Sequence, residues 1–181
     1  INRRRVLLEQ MASRTAEGNR GIAIFLGNVD APTNYRGNDY KFRQDSSFIH
    51  YWGIDEPWFA AVLDLDSGDE CLYGNDVDID DIIWMGPQPS VASKGEAIGC
   101  AKTQPLAEFD NAVTAAVYAG RPVHFLPPAR YYNQMKLAEL TGGKPSEELI
   151  KSVVAMRLIK QQCEIDEIDK ADIEFPNDLL R

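Results

Sequence analysis

The sequence predicts an α/β domain, a mixed sheet flanked by helices. Three observations lead there. Short apolar runs at residues 21–26, 59–65 and 122–126 read as strands. Segments with apolar residues at helical spacing alternate with those runs. A turn at Asp66-Ser67-Gly68-Asp69 joins the second run to a partner at Glu70–Tyr73. Helices alternating with strands pack as layers, and a hairpin requires an antiparallel pair, so the sheet is mixed.

Taken in order, residues 3–14 give an amphipathic helix, with Val6, Leu7 and Met11 as its apolar stripe. Gly18 and Gly21 break it, and Ile22–Leu26 is apolar without alternation, the pattern of a strand buried on both faces. Residues 28–39 are polar and turn-rich; Ser46 or Ser47 then caps a short helix that Gly53 stops. After the hairpin, residues 74–105 form an acidic, then Gly/Pro-rich excursion with one short helix near Ala92–Ile98. Residues 105–119 carry Leu106, Phe109, Val113 and Val117 on one helical face, with Gly120 as the stop. Pro122–Leu126 is a strand, and Pro127-Pro128 open a helix that runs to Leu140 and ends at Gly142-Gly143. Ser146 caps a long charged helix reaching Glu174, with a break near Arg157.

The 181 residues suit one domain. The net charge of −9 argues against phosphate-neutralising nucleic-acid binding and against adsorption to anionic membranes. Cys71, Cys100 and Cys163 are widely spaced without a C-x-x-C, which points to a reducing compartment. Arg3-Arg4-Arg5 is not followed by the apolar segment of a signal peptide, so the expected location is the cytoplasm, although a chain opening on Ile1 leaves room for an upstream segment.

The search for chemistry returns little. His50 and His124 belong to no metal-ligand spacing, and His124 within Val123-His124-Phe125 reads as a structural residue. Asp76, Asp78 and Asp80 fit positions 1, 3 and 5 of a calcium loop, but Asp81 stands where Gly is required and Pro87 where Glu is required. No phosphate-binding glycine motif, nucleophile elbow or Cys beside a base occurs. No catalytic residue and no metal ligand is therefore expected in this chain. Two segments are denser in character. Tyr40 to Phe48 places Arg43, Gln44, Asp45 and Ser46 between aromatics, either as a buried hydrogen-bonded hub, with Arg43 forked onto Asp45 or a carbonyl, or as a polar ligand site. Ile82-Ile83-Trp84-Met85-Gly86-Pro87 puts large apolar side chains into a loop, as an interface or pocket rim or as packing on the core.

These segments, the opening Arg-Arg-Arg helix ending in Glu9-Gln10-Met11, Tyr51-Trp52-Gly53 with Glu56-Pro57, and Met156-Arg157-x-Ile159-Lys160 with Glu164-Ile165, Ile168 and Lys170-Ala171 occur in a characteristic order. Over residues 1–171 that order resembles the N-terminal domain of Xaa-Pro aminopeptidases (aminopeptidase P), in the creatinase/prolidase group. The resemblance implies a ribonuclease H-like N-terminal domain at 1–160 and, at 161–181, a helix connecting to a pita-bread catalytic domain. It implies that the catalytic domain holds two divalent ions, usually manganese, which activate a hydroxide for attack on the bond before proline. It further implies that this domain adds a wall to the cleft for proline-containing peptides and drives homo-oligomerisation. Trp84 then stands where relatives direct a Trp toward a neighbouring subunit's active site, making it the substrate-proximal or interface candidate. The pattern is left at Phe175-Pro176-Asn177-Asp178, and no function is assigned to 172–181. The alternative is a stand-alone binding or scaffold module of the same fold without peptidase activity.

Overall fold

The computed structural model describes residues 2–35, 37–78, 82–84 and 86–174, and of Asn2 and residues 172–174 it describes the backbone alone. Asp80, Asp81 and Met85, which figure in the acidic stretch and the Trp84 loop, and the tail at 175–181 lie outside the described residues. The elements are α1 (Asn2–Ala12), β1 (Ile22–Leu26), α2 (Ser46–Trp52), β2 (Ala60–Asp64), β3 (Glu70–Tyr73), α3 (Val91–Ala97), β4 (Thr103–Gln104), α4 (Ala107–Tyr118), β5 (Val123–His124), α5 (Tyr131–Thr141), α6 (Glu147–Leu158) and α7 (Gln162–Glu174).

The five strands form one mixed sheet in the order β4-β3-β2-β1-β5. β2 pairs antiparallel with both β1 (Ile24 opposite Val62) and β3 (Val62 opposite Cys71). β5 runs parallel to β1, and β4 parallel to β3. Successive side chains of a strand face opposite ways. Ala23 and Phe25 of β1 accordingly join Leu7, Met11, Phe48, Trp52, Leu149 and Val153 of α1, α2 and α6 in one core. Ile22 and Ile24 join Phe109, Val113 and Leu137 of α4 and α5 in the other. Two covered faces explain why β1 is apolar throughout.

Local chemistry moves several boundaries. The cap of α2 is Asp45 rather than Ser46 or Ser47: its carboxylate accepts Ser47 N and Phe48 N, both at 2.9 Å. α5 starts after Arg130, which is extended (φ −98°, ψ 136°), instead of at Pro127; Pro127 itself precedes Pro128 and is pushed out of the helical region. β5 keeps two of its five expected residues, and β4, equally short, was not expected. The long last helix is interrupted where Ile159 is extended (φ −102°, ψ 116°). Ser146 does cap α6, accepting Leu149 N at 3.2 Å and donating to Glu148 at 2.9 Å.

Buried polar residues tie the layers together. Arg4, on α1, donates to Glu70 Oε2, Tyr51 O and Ile98 O, each at 2.9 Å, and lies over the Trp52 ring. His124 is buried between Ser146 Oγ (2.6 Å) and the Arg20 carbonyl (3.0 Å), the place of a structural histidine. The three cysteines are free, with Cys71 and Cys100 buried and Cys163 exposed. Among the described residues, no helix is long and apolar enough to cross a membrane.

Candidate functional site

β1, β3, β4 and β5 all point the same way, since β2 is antiparallel to β1 and β3. Their carboxyl ends therefore open at one end of the sheet, where ligands of open α/β sheets bind. The loop after β1, the excursion after β3 that carries Trp84, the segment from β5 to α5, and the entry to β2 through Trp58 share that end.

Gln44 organises this end and is buried. Its Oε1 accepts Asn28 N at 2.7 Å and Asp45 N at 2.9 Å; its Nε2 donates to Glu56 O at 2.7 Å and Ile54 O at 3.2 Å. One amide thus joins the exit of β1, the start of α2 and the approach to β2. Asn28 adds a bond to the Arg43 carbonyl at 2.8 Å, and Asn133 of α5 donates to Gly27 O at 3.2 Å. Gly27 is obligatory in this packing: a Cβ there would stand 2.8 Å from Phe59 O and 3.2 Å from the Gln44 amide. The expected hub residues thus play separate parts. Gln44 and Asp45 lie within it, Ser46 is an exposed first residue of α2, and the Arg43 side chain is exposed, contributing its carbonyl. The Arg43–Asp45 fork does not form among the described residues; Asp45 Oδ1 caps α2, and Arg43 joins the network through its carbonyl.

Trp84 sits on a helical turn, in which Gly86 N bonds Ile82 O at 2.8 Å, and is 88% exposed. Asn28, Asn133 and Trp58 belong to the same end of the sheet but had no signal in the sequence, their spacing of 30 to 105 residues being closed only by the fold. Trp58 holds φ 65°, alone among the described non-glycine residues. Its indole donates to Asp30 Oδ2 at 3.0 Å and meets the Tyr132 ring edge-on at 6.0 Å. That backbone conformation costs about 1–2 kcal/mol for a residue with a Cβ.

At the start of α7, Arg3 reaches Gln161 Oε1 (3.2 Å), Glu164 Oε1 (3.5 Å) and the His50 carbonyl (3.1 Å). Arg3, His50 and Gln161 border an open groove of about 510 Å³ with Tyr51 and Trp52. Burial, then the charges of Arg3 and Arg157, lower the His50 pKa to about 4, with Glu164 opposing them. Burial pushes the Tyr51 phenol up to about 12. Both are neutral at pH 7. Among the described residues, no three His, Cys, Asp or Glu side chains form a group able to hold a metal ion.

A family model described as "Aminopeptidase P, N-terminal domain" matches residues 1–124, more than two thirds of the chain. The chain belongs to this family. Xaa-Pro aminopeptidase 3 of Rattus norvegicus is 26% identical to it over 178 residues, covering 90% of this chain and 35% of the relative. Its Homo sapiens counterpart is 26% identical over 184 residues, covering 93% and 36%. The chain therefore spans about a third of the length of these curated relatives. Among solved structures, Pseudomonas aeruginosa aminopeptidase PepP superimposes with a TM-score of 0.60 at 19% identity, covering 77% of this chain and 31% of that one. Proline aminopeptidase P II of Yersinia pestis gives 0.58 at 20%, covering 77% and 31%. At such identities the superpositions speak for the shared fold, a mixed sheet flanked by helices of the aminopeptidase P type.

Proposed function

We propose that this chain is the non-catalytic N-terminal domain of a metal-dependent Xaa-Pro aminopeptidase, an enzyme that removes the N-terminal residue preceding proline. The observation that carries the reading is the family match over residues 1–124 in a chain that spans 35% of its rat relative. Catalysis belongs to a following domain, which supplies the ligands for two divalent ions, manganese in the reading offered here. No catalytic step is routed through this chain.

The chain's own part is to shape and to dock. The carboxyl end of the sheet, fixed by Gln44, forms a wall of the cleft for proline-containing peptides. The connecting segment is 161–181, whose described helix α7 carries Ile165 and Ile168 exposed at i, i+3 spacing. An isolated helix of this length is marginal in water, so the stripe is taken to pack on the catalytic domain. Trp84 extends from the excursion toward a neighbouring subunit of a homo-oligomer, and three free thiols favour the cytoplasm.

Trp84→Ala in the full-length protein tests the docking role. Nothing in the fold is lost with so exposed a side chain, so Tm should not move. An interface aromatic is often a dominant contact, so KM should rise roughly tenfold or the oligomer weaken by a similar factor, with the metal content unchanged. Unchanged KM and unchanged oligomeric state remove Trp84 from the site.

A further inference from the structure

Trp58 combines a left-handed backbone with an indole that is 43% exposed, so the strain holds a large aromatic at the surface where glycine would fit without cost. Residues kept in such conformations cluster at ligand contacts. The indole is pinned, not loose: its N–H is on Asp30 Oδ2, its ring abuts Tyr132, and its backbone N–H bonds Asn28 O at 3.2 Å. Through Asn28 it is tied to the Gln44 network and to the carboxyl end of β1. Among the described residues, nothing donates to Asp30 Oδ1. The hollow beside the pair, floored by Leu26, Gly27 and Ala60, holds only about 20 Å³. It is too small to enclose a ligand and admits a methyl group or the edge of a ring. A ligand held there lies across the surface and not inside it.

We propose that Trp58, Tyr132 and Asp30 form a peptide-binding contact. The indole and phenol faces take an apolar ring or aliphatic side chain of an extended peptide, and Asp30 Oδ1 accepts an N–H from the same peptide. This rests on the peptidase reading above and adds to it a second substrate contact, apart from Trp84, on this domain. Trp58 is a direct binding contact in this scheme, acting on peptide affinity.

The test uses the full-length protein, with Trp58→Gly, Trp58→Phe and Asp30→Asn assayed on Xaa-Pro peptides of three or more residues. Glycine relieves the backbone, so the glycine variant should hold its Tm while KM rises about tenfold and kcat stays within about twofold. The phenylalanine variant should recover most of the affinity, and the asparagine variant, which keeps an acceptor without the charge, should raise KM less than glycine. An unchanged KM in the glycine variant overturns the contact while leaving the peptidase reading intact. A Tm fall beyond about 8 °C makes Trp58 a folding residue and also overturns it, as does a change in subunit number, which would make this face an interface between copies. Absence of Xaa-Pro hydrolysis by the unmodified protein overturns the peptidase reading and this contact together.

Discussion

Gln44 uses both ends of its amide on four backbone groups, Asn28 N, Asp45 N, Ile54 O and Glu56 O. Leucine at this position would fill the same volume and leave those groups without partners in a buried place. Each orphaned group costs on the order of 1–3 kcal/mol, so Gln44→Leu should lose about 2–4 kcal/mol in urea unfolding after partial relaxation. A loss below about 1 kcal/mol would mean that water replaces the amide. His50 makes a pH prediction. Its pKa is 6.5 ordinarily and about 4 in the fold, through burial first and then Arg3 and Arg157, with Glu164 opposing and Lys160 adding to the lowering. Between those values the unfolded chain binds a proton that the folded chain does not. The contribution is full above pH 6.5 and is lost as pH falls toward 4. Asp64 and Glu148, both held below the usual carboxylate range, add losses only at lower pH. His50→Gln should flatten the Tm-versus-pH slope between 6.5 and 4; an unchanged slope would place that titration elsewhere. Of the residues prominent in the sequence, Gln44 and Asp45 stood out through their dense polar setting. Trp58 did not, because strain is a property of the backbone and leaves no mark in composition.

At the scale of elements, periodicity carried most of the information. β1 and most of α4 could be read because their apolar spacing matches their burial; at the end of α4, Ala116 is buried and Val117 of the expected face is exposed. β4 could not: Thr103-Gln104 has no pattern of its own and becomes a strand only by pairing with Leu72 and Tyr73. The start of α5 and the cap of α2 were misplaced for local reasons, proline excluding the helical region before it and Asp45 reaching two amides at once. Gly21 shows how much can rest on one missing side chain. It has φ 80°, and a Cβ would stand 1.9 Å from Pro122 O, beside the hydrogen bond from Ile22 N that starts the β1–β5 pairing. Gly21→Ala therefore has to move backbone and should cost about 3 kcal/mol or more, read as a Tm loss and as faster amide exchange in β1 and β5. A cost within about 0.5 kcal/mol would show that this edge of the sheet yields freely.

For the whole molecule, the fold class was legible because two apolar-covered sheet faces impose both the strand composition and the alternation with helices. The candidate site was only partly so. A site at the carboxyl end of the sheet depends on the direction of every strand, which arises from pairings between residues up to 101 positions apart, as Ile22 and Val123 are. The thin catalytic equipment of a −9 chain likewise acquires meaning from proportion, since the chain spans 35% of its rat relative. One assay bears most directly on the division of labour between this domain and the one proposed to follow it. The 181-residue chain and the full-length gene product are each given Mn²⁺ and an Xaa-Pro peptide such as Arg-Pro-Pro, and release of the first residue is followed. The prediction is hydrolysis by the full-length protein, abolished by chelation, and none by the 181-residue chain. Hydrolysis by the 181-residue chain alone would contradict a non-catalytic domain, and none by either protein would contradict the peptidase reading itself.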